Sequence, residues 1–439
     1  MAAYGLGDFT VNTALVSLSL VYASYYLTQI AGLSGTLAGL VPLVARAVDA
    51  FTDPLMGRIS DRTTWKSGRR RPYFLIGAVP FGVSFALLWV DVPFASQAAK
   101  FAYYAGAYCL LSLAITVLSV PYLALLPEMA TGYDSRTTLN TWRNAGSMFG
   151  VFAAIGIRPV AELFGGGANG FALAGALYGV LVALPWLLVH RVSFERPDFQ
   201  RGASEIGFRD TLRLVFANRT FAQLTGLYLF GRIAMDMIGA LLILYFTYWI
   251  GRSGDFEVFM AIFIFCVILS LPGWLRFAPR FDKATIFIFG SLWWAAFQTL
   301  TFFFDADSPR WILFAYGSLA AIGYAVVDLM PWAMVGEAVD QDELESGERR
   351  EGVYNGVFTF LRKLAGALAV FLVLSFLDLL GFEKGAEQTE TVRQAIRWLT
   401  ASLPVACLLV SVQLARGYPL TRAAHEEIVS LLESRRGEA

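Results

Sequence analysis

Asp49 and Asp53 stand four residues apart in Thr36–Gly57, an apolar run long enough to cross a bilayer. A carboxylate held in hydrocarbon costs about 2.5–3.5 kcal/mol on the mildest scale, so acids there normally face a cavity and bind something. A spacing of four puts both on one helix face. Arg46 lies on the preceding turn and Thr52 between the acids. Such a face offers oxygens of the kind that replace the hydration shell of Na⁺ or carry a proton. The plainer reading is a structural ion pair of Arg46 with Asp49 or Asp53. Two acids and one cation leave a negative charge over, which favours a metal-ion or proton site on Asp49 and Asp53, with Thr52 beside them.

Other polar residues in apolar surroundings fit a transport path better than a catalytic centre. Arg232 and Asp236 are four apart, most simply an intrahelical pair, and Asp328 precedes Pro331-Trp332. Glu337, Asp340 and Asp342 follow and are expected to meet basic loops as gate pairs. Arg362 and Lys363 are adjacent, so they point to different faces and only one can serve a common cavity. Tyr26, Tyr122, Trp142, Trp332 and Phe358 are candidate aromatic walls, with core packing the alternative for each. No nucleophile, base and stabiliser converge as an enzyme needs, and nothing resembles a channel filter.

The elements that position these groups follow from composition. Hydrophobic residues make up 57% of the 439, charged residues only 15%, and 36 are Phe. A soluble chain carries about 25% charge. The formal net charge is zero, so nothing points to a nucleic-acid partner. Cys109, Cys266 and Cys407 sit far apart in apolar runs, and His190 and His425 are isolated, which argues against a disulfide framework or a His/Cys metal site. No cofactor is expected beyond a coupling ion, Na⁺ or H⁺.

Runs of about 20 apolar residues predict twelve membrane spans. They are Phe9–Ala31, Thr36–Gly57, Pro72–Val90, Phe101–Leu126, Leu139–Ile157, Gly170–Val189, Phe221–Ile250, Phe256–Ala278, Ala284–Phe304, Trp311–Val335, Val353–Leu380 and Arg397–Ala415. The expected organisation is a six-helix bundle over 1–190, a charged linker over 191–218, a second bundle over 219–416 and an amphipathic tail over 417–439. Arg58, Arg62, Lys66, Arg69, Arg70 and Arg71 fill the loop after span two, and Arg276, Arg280 and Lys283 that after span eight. By the positive-inside rule both termini are expected in the cytoplasm, in a plasma membrane or bacterial inner membrane. The last outside loop, Gly381–Arg397, is less clean, with Lys384, Arg393 and Arg397. The tail around Ile428–Leu432 is expected along the membrane surface or packed under the linker.

Six spans, a charged linker and six spans resemble the major facilitator superfamily. Gly57-Arg58-Ile59-Ser60-Asp61-Arg62 followed by Gly68-Arg69-Arg70-Arg71 is similar to its loop signature G-x-x-x-D-R…G-R-[RK], with extra residues inserted. The implied role is a charge latch, Asp61 capping a helix N-terminus while Arg62, Arg69 and Arg70 meet acids and helix ends of the opposing bundle. Simple retention of positive loops in the cytoplasm is compatible with it. Arg280-Phe281-Asp282-Lys283 is a weak echo in the second half.

Further residues resemble the glycoside–pentoside–hexuronide:cation symporter family. These are Tyr4–Phe9 at the start, Arg46–Gly57 against the family's R-x-x-D-A-x-x-D-P-x-M-G, Val120-Pro121-Tyr122, Leu126-Pro127-Glu128, Arg136, Arg143 and Lys363. The resemblance implies an all-α membrane protein of twelve transmembrane helices in two six-helix bundles, working as a monomer. It implies cation binding by Asp49 and Asp53 with Thr52 near and Lys363 approaching, and a solute pocket near Arg143; Glu128 and Arg136, at matching positions, are expected to gate together with Glu337 and Asp340. Two departures stand out. The sugar-binding carboxylates of spans one and four are replaced by Asn12 or Thr13 and by Ser119, and the aromatic platform after Pro121 by Leu123. Lost acids weaken hydroxyl recognition. Two solute classes therefore stay open, a sugar or glycoside and a lysolipid or other amphiphile drawn from membrane lipid. A non-transporting sensor or scramblase on the same fold is the third reading.

Overall fold

In the computed structural model the residues described are 2–65, 67–129, 133–195, 217–277, 280–347, 351–383 and 387–437, and they are helical wherever a regular element forms. Fifteen α-helices run in order: α1 Ala2–Ser17, α2 Gly35–Arg62, α3 Pro72–Leu88, α4 Gln97–Met129, α5 Tyr133–Ile155, α6 Ile157–Leu163, α7 Gly167–Ala183 and α8 Pro185–Val192. They continue with α9 Arg219–Leu244, α10 Phe256–Phe277, α11 Lys283–Thr299, α12 Arg310–Ser346, α13 Glu351–Leu379, α14 Glu390–Arg416 and α15 Arg422–Gly437.

Among the described residues ten helical stretches are long and apolar enough to cross a membrane, and the bent pair Trp142–Ile155 with Ile157–Leu163 makes an eleventh. Pro72–Leu88 is a shorter apolar helix. Every predicted span falls on one of these. The last begins at Glu390, not Arg397, so Arg393 and Arg397 are helical and not loop residues. They are held by carbonyls: Arg393 donates to Tyr248 O at 3.2 Å and Arg397 to Phe302 O at 2.7 Å, its guanidinium stacked over Phe302.

Local chemistry sets the ends. Gly32 adopts φ +71°, which favours glycine, and Ser34 then caps α2 by accepting from Leu37 N–H at 3.4 Å. Asn218 caps α9 through Phe221 N–H at 2.9 Å, and Gly347, left-handed at φ +75°, closes α12.

The chain divides into two compact units, 1–204 with 370–387, and 205–369 with 388–439. In the first, α1 packs on α5 along glycines. A side chain at Gly5 would strike the Trp142 carbonyl, one at Gly146 the Gly5 carbonyl, and one at Gly150 the Phe9 carbonyl. Small residues let backbones approach where lipid supplies no hydrophobic drive. The end of α13 belongs to this unit too. Asp378 Oδ2 accepts from Thr36 Oγ1 at 2.8 Å and Thr36 N–H at 3.3 Å, and a Cβ on Gly39 would lie 2.6 Å from Phe371 Cα. In the second unit α9 packs on α14 and α11 on α12, where a Cβ on Gly323 would lie 2.5 Å from Gly290 O.

The tail helix α15 packs on α12. His425 Nε2 pairs with Asp340 at 3.0 Å, and Arg422 N–H donates to Asp282 Oδ1 at 2.8 Å. Its support is thus the Arg280–Lys283 loop and the end of α12. Linker residues 196–216 are outside the described ones.

Candidate functional site

α2 and α4 build the acidic face in register. Asp49 accepts from Ser112 and Asp53 from Thr116 Oγ1 at 2.5 Å, so two rungs a helical turn apart join the helices. Asp49 is 2% exposed, and Arg46 Nη1 meets it at 2.9 Å. The ion pair expected for Arg46 therefore exists, but it engages Asp49 while Asp53 takes a hydroxyl. Thr52 Oγ1 is buried without a hydrogen-bond partner among the described residues. A buried hydroxyl left so is costly unless something else uses its lone pairs. Ser112 and Thr116 escaped the sequence reading; their only signal was an i, i+4 spacing that copies Asp49 and Asp53.

Further along α4, by roughly 9 Å at the helical rise, stands Tyr122. Its hydroxyl lies 2.7 Å from Asp8 Oδ2 and 2.8 Å from Tyr4 O, and its ring stacks on Tyr4 at 4.3 Å. Arg143, from α5, grips Asp8 with two bonds, Nε to Oδ2 at 2.7 Å and Nη2 to Oδ1 at 3.0 Å. The glycine seam of α1 and α5 permits that closeness. Asp8 is thus the α1 acid that meets Arg143 and Tyr122, one turn before Asn12, and nothing in the sequence alone marked it. Asn12 Nδ2 donates to Asp8 O at 2.8 Å and Ser147 Oγ at 3.0 Å. Ser119 is half-buried on α4 and Trp142 is exposed beside Arg143. Tyr26 does not join them. It is fully buried, ringed by Trp89 at 5.1 Å, Phe171 at 5.3 Å and Tyr22 at 5.6 Å, an aromatic core that leaves no face open.

In the second unit Trp332 and Phe358 do come together, with Tyr228 between them. Phe358 stacks on Tyr228 at 4.4 Å, Trp332 meets Phe358 edge-on at 5.0 Å, and Trp332 Nε1 donates to Tyr228 OH at 3.1 Å. One turn along α9, Arg232 holds Asp236 through Nε at 2.9 Å and Nη2 at 2.8 Å, and Nη1 reaches Asp328 at 3.4 Å. Lys363 lies half-buried on α13 in this unit.

The arginine-rich loop is braced inside its own unit. Glu128, 2% exposed, accepts from Arg69 Nη2 at 2.6 Å and Arg70 Nη1 at 2.5 Å. Glu195, at the edge of the linker, receives the N–H groups of Arg69, Arg70 and Arg71 at 2.8, 2.9 and 2.9 Å, an anion nest at the start of α3. These partners lie within the first unit. Arg62 is exposed at the end of α2; the side chains of Asp61 and Arg136 lie outside the described ones. The second unit repeats the device: Lys283, at the start of α11, meets Glu337 of α12 at 2.8 Å, as Arg69 and Arg70 meet the α4 acid. Asp340 holds His425 of the tail.

Residues 3–422 match the family described as MFS/sugar transport protein. The chain belongs to that family. The major facilitator chain is 27% identical over 447 residues to the glucuronide carrier protein homolog of Escherichia coli, covering 99% of this chain and 95% of that one. It is 22% identical over 443 residues to the sodium-dependent lysophosphatidylcholine symporter 1-A of Danio rerio, covering 92% and 82%. Among solved structures, a bacterial homologue of the human lysosomal transporter Spinster superposes with a TM-score of 0.69 at 16% identity, covering 95% and 94%, which shows the fold. Family and fold are those of integral, multi-pass transporters resembling the glycoside–pentoside–hexuronide:cation symporters, not of enzymes.

Proposed function

We propose that this transporter is a Na⁺-coupled symporter of a sugar or glycoside, working by alternating access. The observation that carries the reading is the acidic face of α2 and α4. Asp49, Asp53, Ser112 and Thr116 form two rungs, and Thr52 Oγ1 beside them is buried and unsatisfied. Na⁺ takes several oxygens, whereas a proton needs one carboxylate. The hydroxyls supply that number. α4 also carries Tyr122 of the Asp8–Arg143 corner, so one rigid helix serves cation and solute. Coupling between them is reciprocal: a solute that tightens Na⁺ is tightened by Na⁺ in the same factor. Lys363 is the cation we assign to the side of Asp49 and Asp53, with Arg362 on another face of α13.

The sugar reading gains from Asp8, which returns to α1 the acid that Asn12 lacks, and from the relative named as a glucuronide carrier homologue. Exposed Leu123 where an aromatic platform was expected favours the second reading, a lysolipid or other amphiphile. Purified protein in proteoliposomes decides. Uptake of radiolabelled glycosides should rise with external Na⁺ at fixed pH and need no pH gradient, while lysophosphatidylcholine is left behind. Uptake that follows the pH gradient and ignores Na⁺ overturns the cation choice; Na⁺-driven uptake of lysolipid alone overturns the solute choice.

A further inference from the structure

Asp328 presents a contradiction that its position resolves. Its side chain is 46% exposed, yet it sits in the apolar stretch of α12. It lies level with Arg232, which is roughly 20 Å along α9 from Arg219 by the helical rise. A carboxylate exposed to lipid at such depth is strongly disfavoured, so an exposed one must open to water. Among the described residues its one polar contact is the long 3.4 Å approach to Arg232, whose bonding is already taken by Asp236. Asp236 itself is closed off, because the backbone of α13 at Gly366 lies against its carboxylate. Asp328 therefore keeps acceptor capacity that its neighbours have spent.

Its surroundings define what it accepts from. Trp332, one turn on along α12, is partly exposed, while Tyr228 and Phe358 behind it are fully buried and fix its indole. Arg362 acts electrostatically on Tyr228 and Tyr324, the two tyrosines that also feel Asp328. Arg232 thus touches both acids, 236 and 328, and Arg362 adds a second positive charge in the neighbourhood of the same tyrosines. Among the described residues here positive charge matches negative, so nothing rewards a cationic headgroup, whereas a hydroxyl needs only lone pairs. We infer that Asp328 is a specificity-determining residue of the solute path, accepting hydrogen bonds from the hydroxyls of an uncharged polyol or sugar ring that rests on the edge of Trp332. The inference rests on the sugar reading above.

The test separates the two. Asp328→Cys is made in a chain whose native cysteines are replaced by alanine, and is treated with the water-soluble thiol reagent MTSES in vesicles of both orientations. Reaction is expected from at least one side; a cysteine that reacts only after denaturation overturns the placement in the water path. In the native background, Asp328→Asn should raise the KM for methyl glycosides roughly tenfold to a hundredfold, the loss of hydrogen bonds to a charged acceptor, with Na⁺ dependence kept and Asp328→Glu restoring part. Glycoside should slow MTSES labelling several-fold and lysophosphatidylcholine should not; the reverse pattern overturns the polyol assignment. A parent that carries glycosides beside an unchanged Asp328→Asn sinks the inference alone. A parent that carries none sinks the sugar reading, and with it the assignment of hydroxyls.

Discussion

Asp49 and Asp53 should respond differently to the same substitution. In Asp53→Asn the amide oxygen still accepts from Thr116, so folding is kept while the site loses one negative charge. A unit charge about 4 Å away is worth about 4 kcal/mol at an effective dielectric of 20, roughly a thousandfold in cation affinity. Asp49→Asn removes the same charge and also leaves Arg46 without its buried counter-charge at 2.9 Å. Breaking one side of a buried pair costs about 3–5 kcal/mol, at the lower end here because Arg46 is 15% exposed. Asp53→Asn should therefore melt with the parent and show no Na⁺ heat in titration calorimetry. Asp49→Asn should lose the heat and melt several degrees lower, and Arg46→Met with Asp49→Asn should regain stability but not Na⁺ binding. A Na⁺ affinity in Asp53→Asn within threefold of the parent would refute the site, and equal melting of the two single variants would refute the asymmetry.

Lys363→Ala is expected to uncouple or stop accumulation while Arg362→Ala is milder, and equal small effects in a counterflow assay would remove Lys363 from the path. Asp8→Asn releases the fork of Arg143 and should raise solute KM at least tenfold with Vmax little changed; an unaltered KM means that the pair only braces α1 on α5. Glu128→Ala leaves Arg69 and Arg70 facing each other over a buried void and should cost about 3 kcal/mol, read as a lower melting temperature in detergent.

Helices were legible because length and apolarity alone define a span, and even the bent α5–α6 pair fell where a twelfth-part of the pattern required it. The acids of α2 were legible for the same reason, charge in an apolar run. Ser112 and Thr116 were not, since a lone hydroxyl satisfied by its own helix looks the same in sequence as one that reaches a neighbour. Tyr26 misled because an aromatic residue serves a cavity wall and a core equally well, and only packing against Trp89 and Phe171 decides. Asp8 stood within a recognised motif, but its partner is 135 residues away, and nothing in sequence marks the glycines that bring α5 close. Glu195 sits in a linker rich in both charges, so nothing marked it as the cap of α3.

The end of α13 gives the first unit a helical segment made long after the rest of it. Residues 370–387 are synthesised after α9 to α12, yet Asp378 accepts from Thr36 in the first turn of α2 and Phe371 lies against Gly39. During biosynthesis the first bundle therefore waits, with Thr36 in the first turn of α2 lacking its carboxylate partner, until most of the second has been inserted. A ribosome halted at the linker would release a bundle that is threaded through the membrane but not finished. Severing the chain there and supplying both pieces should still yield the native assembly, because the later piece carries the part the earlier one lacks.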